Sequence, residues 1–74
     1  MEAPKLTSRE IEVIRHVALG KSRKEIASDL GIAYATLDTH LKHIFMKLGT
    51  RSMTETAIWS VNNQWVAHLS YILQ

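Results

Sequence analysis

Cysteine is absent from this sequence, which excludes a disulfide framework, thiol chemistry and a thiolate metal site. The four histidines lack the Cys or close His spacing of a zinc site, so no metal and no other cofactor is implied. No apolar run approaches the ~20 residues that a bilayer span requires, and the N-terminus has no basic segment followed by an apolar stretch. The expectation is a cytoplasmic protein with no membrane partner. Alternating strand patterns, internal repeats and low-complexity segments are also missing, which leaves an all-α fold. The single proline, Pro4, falls in the lead-in, and each of the three glycines, Gly20, Gly31 and Gly49, sits where a helical pattern stops. At 74 residues the chain has room for one domain, near the lower limit for folding alone, so oligomerisation would help it.

What is present is helical punctuation. Thr7 with Glu10, Ser22 with Glu25 and Ser52 with Glu55 each have the reciprocal spacing of a capping box, which marks three helix starts. Helix 1 is expected to run to about Leu19 with Ile11, Ile14 and Ala18 on its buried stripe, widened by Val17. Helix 2 runs from about Arg23 to Leu30 and buries Ile26, Ala27 and Leu30. Helix 3 starts at about Tyr34, and Leu37, Leu41, Ile44, Phe45 and Leu48 follow the spacing of one apolar face. In helix 4, Ala57, Ile58 and Val61 are expected inward, which places Thr56, Trp59 and Asn63 on an outward stripe. A large aromatic on the outside of a small domain marks a contact surface. Residues 1–5 read as a disordered lead-in, 6–62 as the domain, and 63–74 as an apolar C-terminal extension, either a fifth helix folded on the core or part of a dimer seam.

The segment from Arg23 to Lys42 organises the rest. Ala27, Gly31 and Leu37 fall where a helix-turn-helix needs a small residue, a turn residue and a buried aliphatic. Charge is concentrated there too. Residues 20–51 hold six cations (Lys21, Arg23, Lys24, Lys42, Lys47, Arg51) against three anions (Glu25, Asp29, Asp38), while the whole chain carries only +2. A polyanion would meet this excess on the helix pair and its exit.

With those residues in place the chain resembles the LuxR-type helix-turn-helix domain, the DNA-binding output module of many bacterial response regulators and quorum-sensing regulators. The resemblance covers about Leu6 to Asn62. It rests on Leu6-Thr7-x-Arg9-Glu10-x-Glu12-Val13, then Gly20-x-Ser22-x-Lys24-Glu25-Ile26-Ala27, then Leu30-x-Ile32, Thr36-Leu37, His40, Ile44 and Lys47-Leu48-Gly49. It implies a transcription regulator that binds double-stranded DNA as a homodimer, with helix 3 in the major groove. It also implies either a free-standing regulator or the effector part of a longer chain with an N-terminal receiver or sensor domain. Three residues depart from the family pattern. Ala33 stands where a Ser usually caps helix 3, Asp38 where a Lys is most common, and Met53 where an Arg usually begins helix 4.

Asp38, Thr39 and Lys42 are the expected base-contacting residues. Lys42 suits a guanine edge or a phosphate, Thr39 a thymine methyl or a phosphate, and Asp38 a cytosine amino group, unless Asp38 serves only to orient Lys42 one turn away or to temper affinity. Ser22, Arg23 and Lys24 at the start of helix 2, with Thr36, His40 and His43 on helix 3, are the expected phosphate contacts. His40 also lies beside Leu41 at the core edge, where a structural role is equally open. Thr56, Trp59 and Asn63 are the expected dimer interface, in keeping with dimerisation of the family through its last helix. Glu10 and Glu12 fall on different faces of helix 1, so they do not form an acid–base pair, and no other catalytic constellation is present. The chain is not read as an enzyme. The rival reading is a protein-interaction module that keeps the fold but has lost DNA binding, suggested by Ala33, Asp38 and the apolar tail.

Overall fold

A computed structural model describes residues 5–63. These form α1 (Ser8–Ala18), α2 (Arg23–Leu30), α3 (Tyr34–Leu48) and α4 (Met53–Asn62), with no strand among the described residues. Residues 1–4 of the lead-in and residues 64–74 of the expected extension lie outside them.

The capping chemistry sets the helix starts. Thr7 Oγ1 accepts from the Glu10 N–H at 3.1 Å and Glu10 Oε1 accepts from the Thr7 N–H at 2.8 Å, which closes the box at α1. Ser22 and Glu25 close the same box at α2, at 3.2 and 2.9 Å. At α4 only half of the box forms: Ser52 Oγ accepts from the Glu55 N–H at 3.1 Å, with no return bond from the carboxylate. At α3 the N-cap residue is Ala33, and no side chain caps the helix. Gly31 ends α2 in the left-handed conformation (φ 66°), and the Ile32 N–H returns to the Ala27 carbonyl at 3.0 Å, the closing bond of a Schellman turn. That turn is three residues long and keeps α3 packed against α2.

The core is formed by Val13, Ile14 and Val17 of α1, Ile26 and Ala27 of α2, and Leu37, Leu41 and Ile44 of α3. Leu6, Leu30, Ile32, Phe45, Leu48, Met53, Ala57 and Trp59 pack around it, half-buried. On α1 the expected stripe is shifted: Ala18 is exposed and Ile11 half-buried, while Val13 and Glu10 are buried. A carboxylate is tolerated inside because its Oε1 is both hydrogen-bonded and ion-paired. Besides its cap bond, Glu10 Oε1 receives Lys47 Nζ at 2.7 Å, a pair that ties the start of α1 to the end of α3. Burial raises the Glu10 carboxyl, but the Lys47 and Thr7 hydrogen bonds and the Lys47 charge outweigh it and hold the group below the ordinary range.

The expected inward facing on α4 holds for Ala57, which packs against the core, and is overturned for Ile58 and Val61. Thr56 is fully buried and Ser60 nearly so, whereas Ile58 and Val61 are 57% and 68% exposed. Trp59 packs against the core, and the half-buried Asn63 donates its amide to the Trp59 carbonyl at 2.8 Å. Thr56, Trp59 and Asn63 therefore do not form an outward stripe. The reason is polar satisfaction combined with size. Thr56 Oγ1 donates to the Ser52 carbonyl at 2.9 Å and lies 2.9 Å from Thr50 Oγ1, and Ser60 Oγ donates to the Ala57 carbonyl at 2.7 Å. Hydroxyls bonded within their own helix can be buried at little cost, and small side chains let α4 lie close against α1, its main neighbour.

Candidate nucleic-acid interface

The outer side of α3 and the first turn of α2 form one polar surface. Core packing of Leu37, Leu41 and Ile44 fixes the rotation of α3, which leaves Thr36, Thr39, Lys42 and His43 exposed and Asp38 and His40 half-buried. The link to α2 is direct: Arg23 Nε lies 3.2 Å from Asp38 Oδ1. The contact is a charge pair rather than a hydrogen bond, since the buried Arg23 Nε has no hydrogen-bond partner. The i, i+4 pairing of Asp38 with Lys42 is not formed.

The other side chains are constrained in ways that limit their chemistry. Thr39 Oγ1 donates to the Ala35 carbonyl at 3.2 Å, so outward it offers its methyl group and an acceptor oxygen. Ser22 Oγ accepts from the Glu25 N–H but keeps its own proton to donate. Lys24 is exposed beside it.

Ion pairing divides the cations of this region into two groups. Lys21 Nζ binds Asp29 Oδ2 at 2.7 Å and lies 3.1 Å from His16 Nδ1, Lys47 binds Glu10, and Arg23 faces Asp38. Lys24, Lys42 and Arg51 have no ion pair among the described residues. The charge excess of the segment is thus presented by these three. Asp29 is held below its ordinary range by the Lys21 hydrogen bond and charge. His16 is also lowered, first by burial and then by the Lys21 charge, and its Nδ1 faces the ammonium as an acceptor.

Sequence reasoning brought together the residues of α2 and α3 that lie on this surface, but among the roles it left open for Asp38 it did not include Arg23 as a partner, and it did not single out Tyr34, 52% exposed at the start of α3. It also missed Ile58 and Val61 as the exposed apolar pair on α4. Their apolar character pointed inward, and the only contrary signal was the small, self-bonding Thr56 and Ser60.

Among the described residues no helix is long and apolar enough to cross a membrane, and no group of acidic and His side chains is arranged to hold a metal ion. Residues 4–60 match the family model described as bacterial regulatory proteins, luxR family. The transcriptional regulatory protein LnrK of Bacillus subtilis is 45% identical over 56 residues, covering 76% of this chain and 26% of LnrK. LiaR of the same organism is 38% identical over 61 residues, covering 82% of this chain and 29% of LiaR. The crystal structure of the response regulator ChrA, from a heme-sensing two-component system, superposes with a TM-score of 0.77 at 33% identity, over 86% of this chain and 32% of ChrA. The chain therefore spans between a quarter and a third of each of these proteins. A family match over most of the sequence, close relatives among transcriptional regulators and a shared fold agree: this chain belongs to the luxR family of bacterial regulatory proteins.

Proposed function

We propose that this chain is a sequence-specific double-stranded DNA-binding module of a transcription regulator, with α3 in the major groove and the first turn of α2 on the backbone. The observation that carries the reading is the single exposed surface on which Thr36, Thr39 and Lys42 stand beside Ser22 and Lys24, with both lysines free of ion pairs among the described residues. An unpaired lysine releases counterions when it meets a phosphate, whereas a lysine already bound to a carboxylate does not. Lys42 and the Thr39 methyl suit a guanine edge and a thymine methyl, and Ser22, Lys24, Thr36 and His43 suit phosphates. His40 is half-buried, which makes it less accessible to a phosphate than the exposed Thr36 and His43. Dimerisation through α4 fits the exposed Ile58 and Val61, which take the place of Trp59 in that role. In a longer chain, a receiver or sensor domain would precede the module and control its pairing.

Titration of a labelled duplex at several salt concentrations tests the reading. The expected result is binding at low salt that weakens steeply as salt rises. Lys24→Ala should weaken binding to every duplex alike and lower the salt slope by about 0.9, the share of one phosphate. Lys42→Ala should instead cost ~1 to 3 kcal/mol on the preferred site. A wild-type chain that leaves duplexes unbound at low salt would point to a protein-interaction module on the same fold.

A further inference from the structure

We propose that Asp38 is an internal stand-in for a DNA phosphate, holding the Arg23 guanidinium so that the module binds more weakly and more selectively than its cation content allows. The proposal rests on the DNA-binding reading and replaces base recognition as the role of Asp38. Its geometry crosses the two helices of the interface: Asp38 Oδ1 on α3 lies 3.2 Å from Arg23 Nε on α2. Asp38 stands one turn before Lys42 on the same helix, a spacing at which an acid and a base usually pair. It nevertheless faces Arg23, and Lys42 is left without an ion pair among the described residues. The carboxylate therefore silences a phosphate-class cation and spares a base-class one.

The contact is also built to be displaced. Arg23 Nε is buried without a hydrogen-bond partner, so the pair holds by charge alone and leaves a donor unsatisfied. The two side chains are 40% and 43% exposed, which keeps the pair screened and weak. A phosphate accepts from a guanidinium in a fork geometry that this one-sided contact does not offer. On a well-fitted site the phosphate can win Arg23 from Asp38. On a poorly fitted site it does not, and the module loses one backbone contact.

The test is a thermodynamic cycle with a labelled random-sequence duplex, across about 50 to 200 mM salt. Asp38→Ala and Asp38→Asn should each tighten binding by roughly five- to tenfold near 0.1 M salt and steepen the salt slope by about 0.9, one released phosphate contact. Arg23→Ala alone should change random-duplex binding little. In the Arg23→Ala background the Asp38 substitutions should bring little further gain. Sites selected from a random pool should show the same preferred bases for wild type and Asp38→Ala. The ratio of affinity for the selected site to that for random duplex should fall in Asp38→Ala, because wild type already frees Arg23 on the fitted site. Using two Asp38 variants, each compared with wild type by circular dichroism, guards against a folding defect in one. The proposal is overturned if neither variant tightens binding. An equal gain without Arg23 also overturns it, since simple repulsion then accounts for the effect, as does loss of preference at one base position, which marks base reading. If the wild-type chain leaves the duplex unbound, the DNA-binding reading fails as stated. The mask then stands only if an Asp38 variant acquires binding that the double variant lacks.

Discussion

At the scale of single residues, the start of α3 shows how a missing hydroxyl can be weighed. Ala33 has the extended backbone of an N-cap (φ −67°, ψ 149°) but no side-chain oxygen, so the first-turn N–H groups of α3 have no cap from the chain. Since the backbone already has the conformation that a capping Ser adopts, Ala33→Ser should add the bond without rearrangement. The expected gain is ~1 kcal/mol. In a domain of this size that raises the melting temperature by roughly 4–8 °C, and a circular dichroism melt reads it directly. A full capping box is out of reach, because the residue three positions on is Thr36 rather than Glu or Gln. An unchanged melting temperature would mean that water already serves these groups as well as a serine.

At the scale of elements, the helix bounds follow from local chemistry, and the rotation of α4 does not. The starts of α1 and α2 are fixed by residues three apart, and the end of α2 by a glycine that alone takes φ 66° without strain, so a reading of neighbours along the chain finds them. The phase of α4 depends on α1, which is distant in sequence, and on threonine and serine hydroxyls that bond within their own helix. Hydrophobicity counts Ile58 as buried and Thr56 as exposed, and packing reverses both. The reversal has an unusual mutational signature. Thr56→Val adds an apolar group, yet should destabilise by ~1 kcal/mol, because it strips the half-buried Thr50 hydroxyl of its partner, while the Ser52 carbonyl keeps its bond from the Thr56 N–H. Ile58→Thr removes an apolar group, yet should leave monomer stability within about 0.5 kcal/mol. Urea unfolding at concentrations where the chain is monomeric separates the two, and sedimentation of Ile58→Thr at high concentration should show a shift from dimer toward monomer. A large loss of monomer stability in Ile58→Thr would restore the inward facing of that residue.

At the scale of the whole molecule, ion pairs between distant residues join the helices, and they explain what sequence could not show. Lys47 and Glu10 are 37 positions apart, so nothing local links them, and Arg23 meets Asp38 only because the turn at Gly31 folds α3 back across α2. The exposed residues of the site were legible from helical spacing; their charge partners required the tertiary fold. These pairs also give the domain a common response to acid. Glu10, Glu25 and Asp29 are all held below the ordinary carboxylate range, so in acid the unfolded chain takes up their protons before the folded chain does. His16 is lowered as well, chiefly by burial and then by Lys21, and its Nδ1 must accept from the ammonium rather than carry a second proton. The unfolded chain therefore binds more protons over both ranges. Stability should be flat above about pH 6.5, decline as His16 protonates in the unfolded chain, and fall further below about pH 4.5 as the carboxylates follow. Urea midpoints from pH 7.5 down to about pH 4 measure this. His16→Gln, which can still accept from Lys21, should flatten the first decline and leave the second. A midpoint constant from pH 7.5 to about pH 5 in the wild type would mean that His16 takes its proton as readily folded as unfolded.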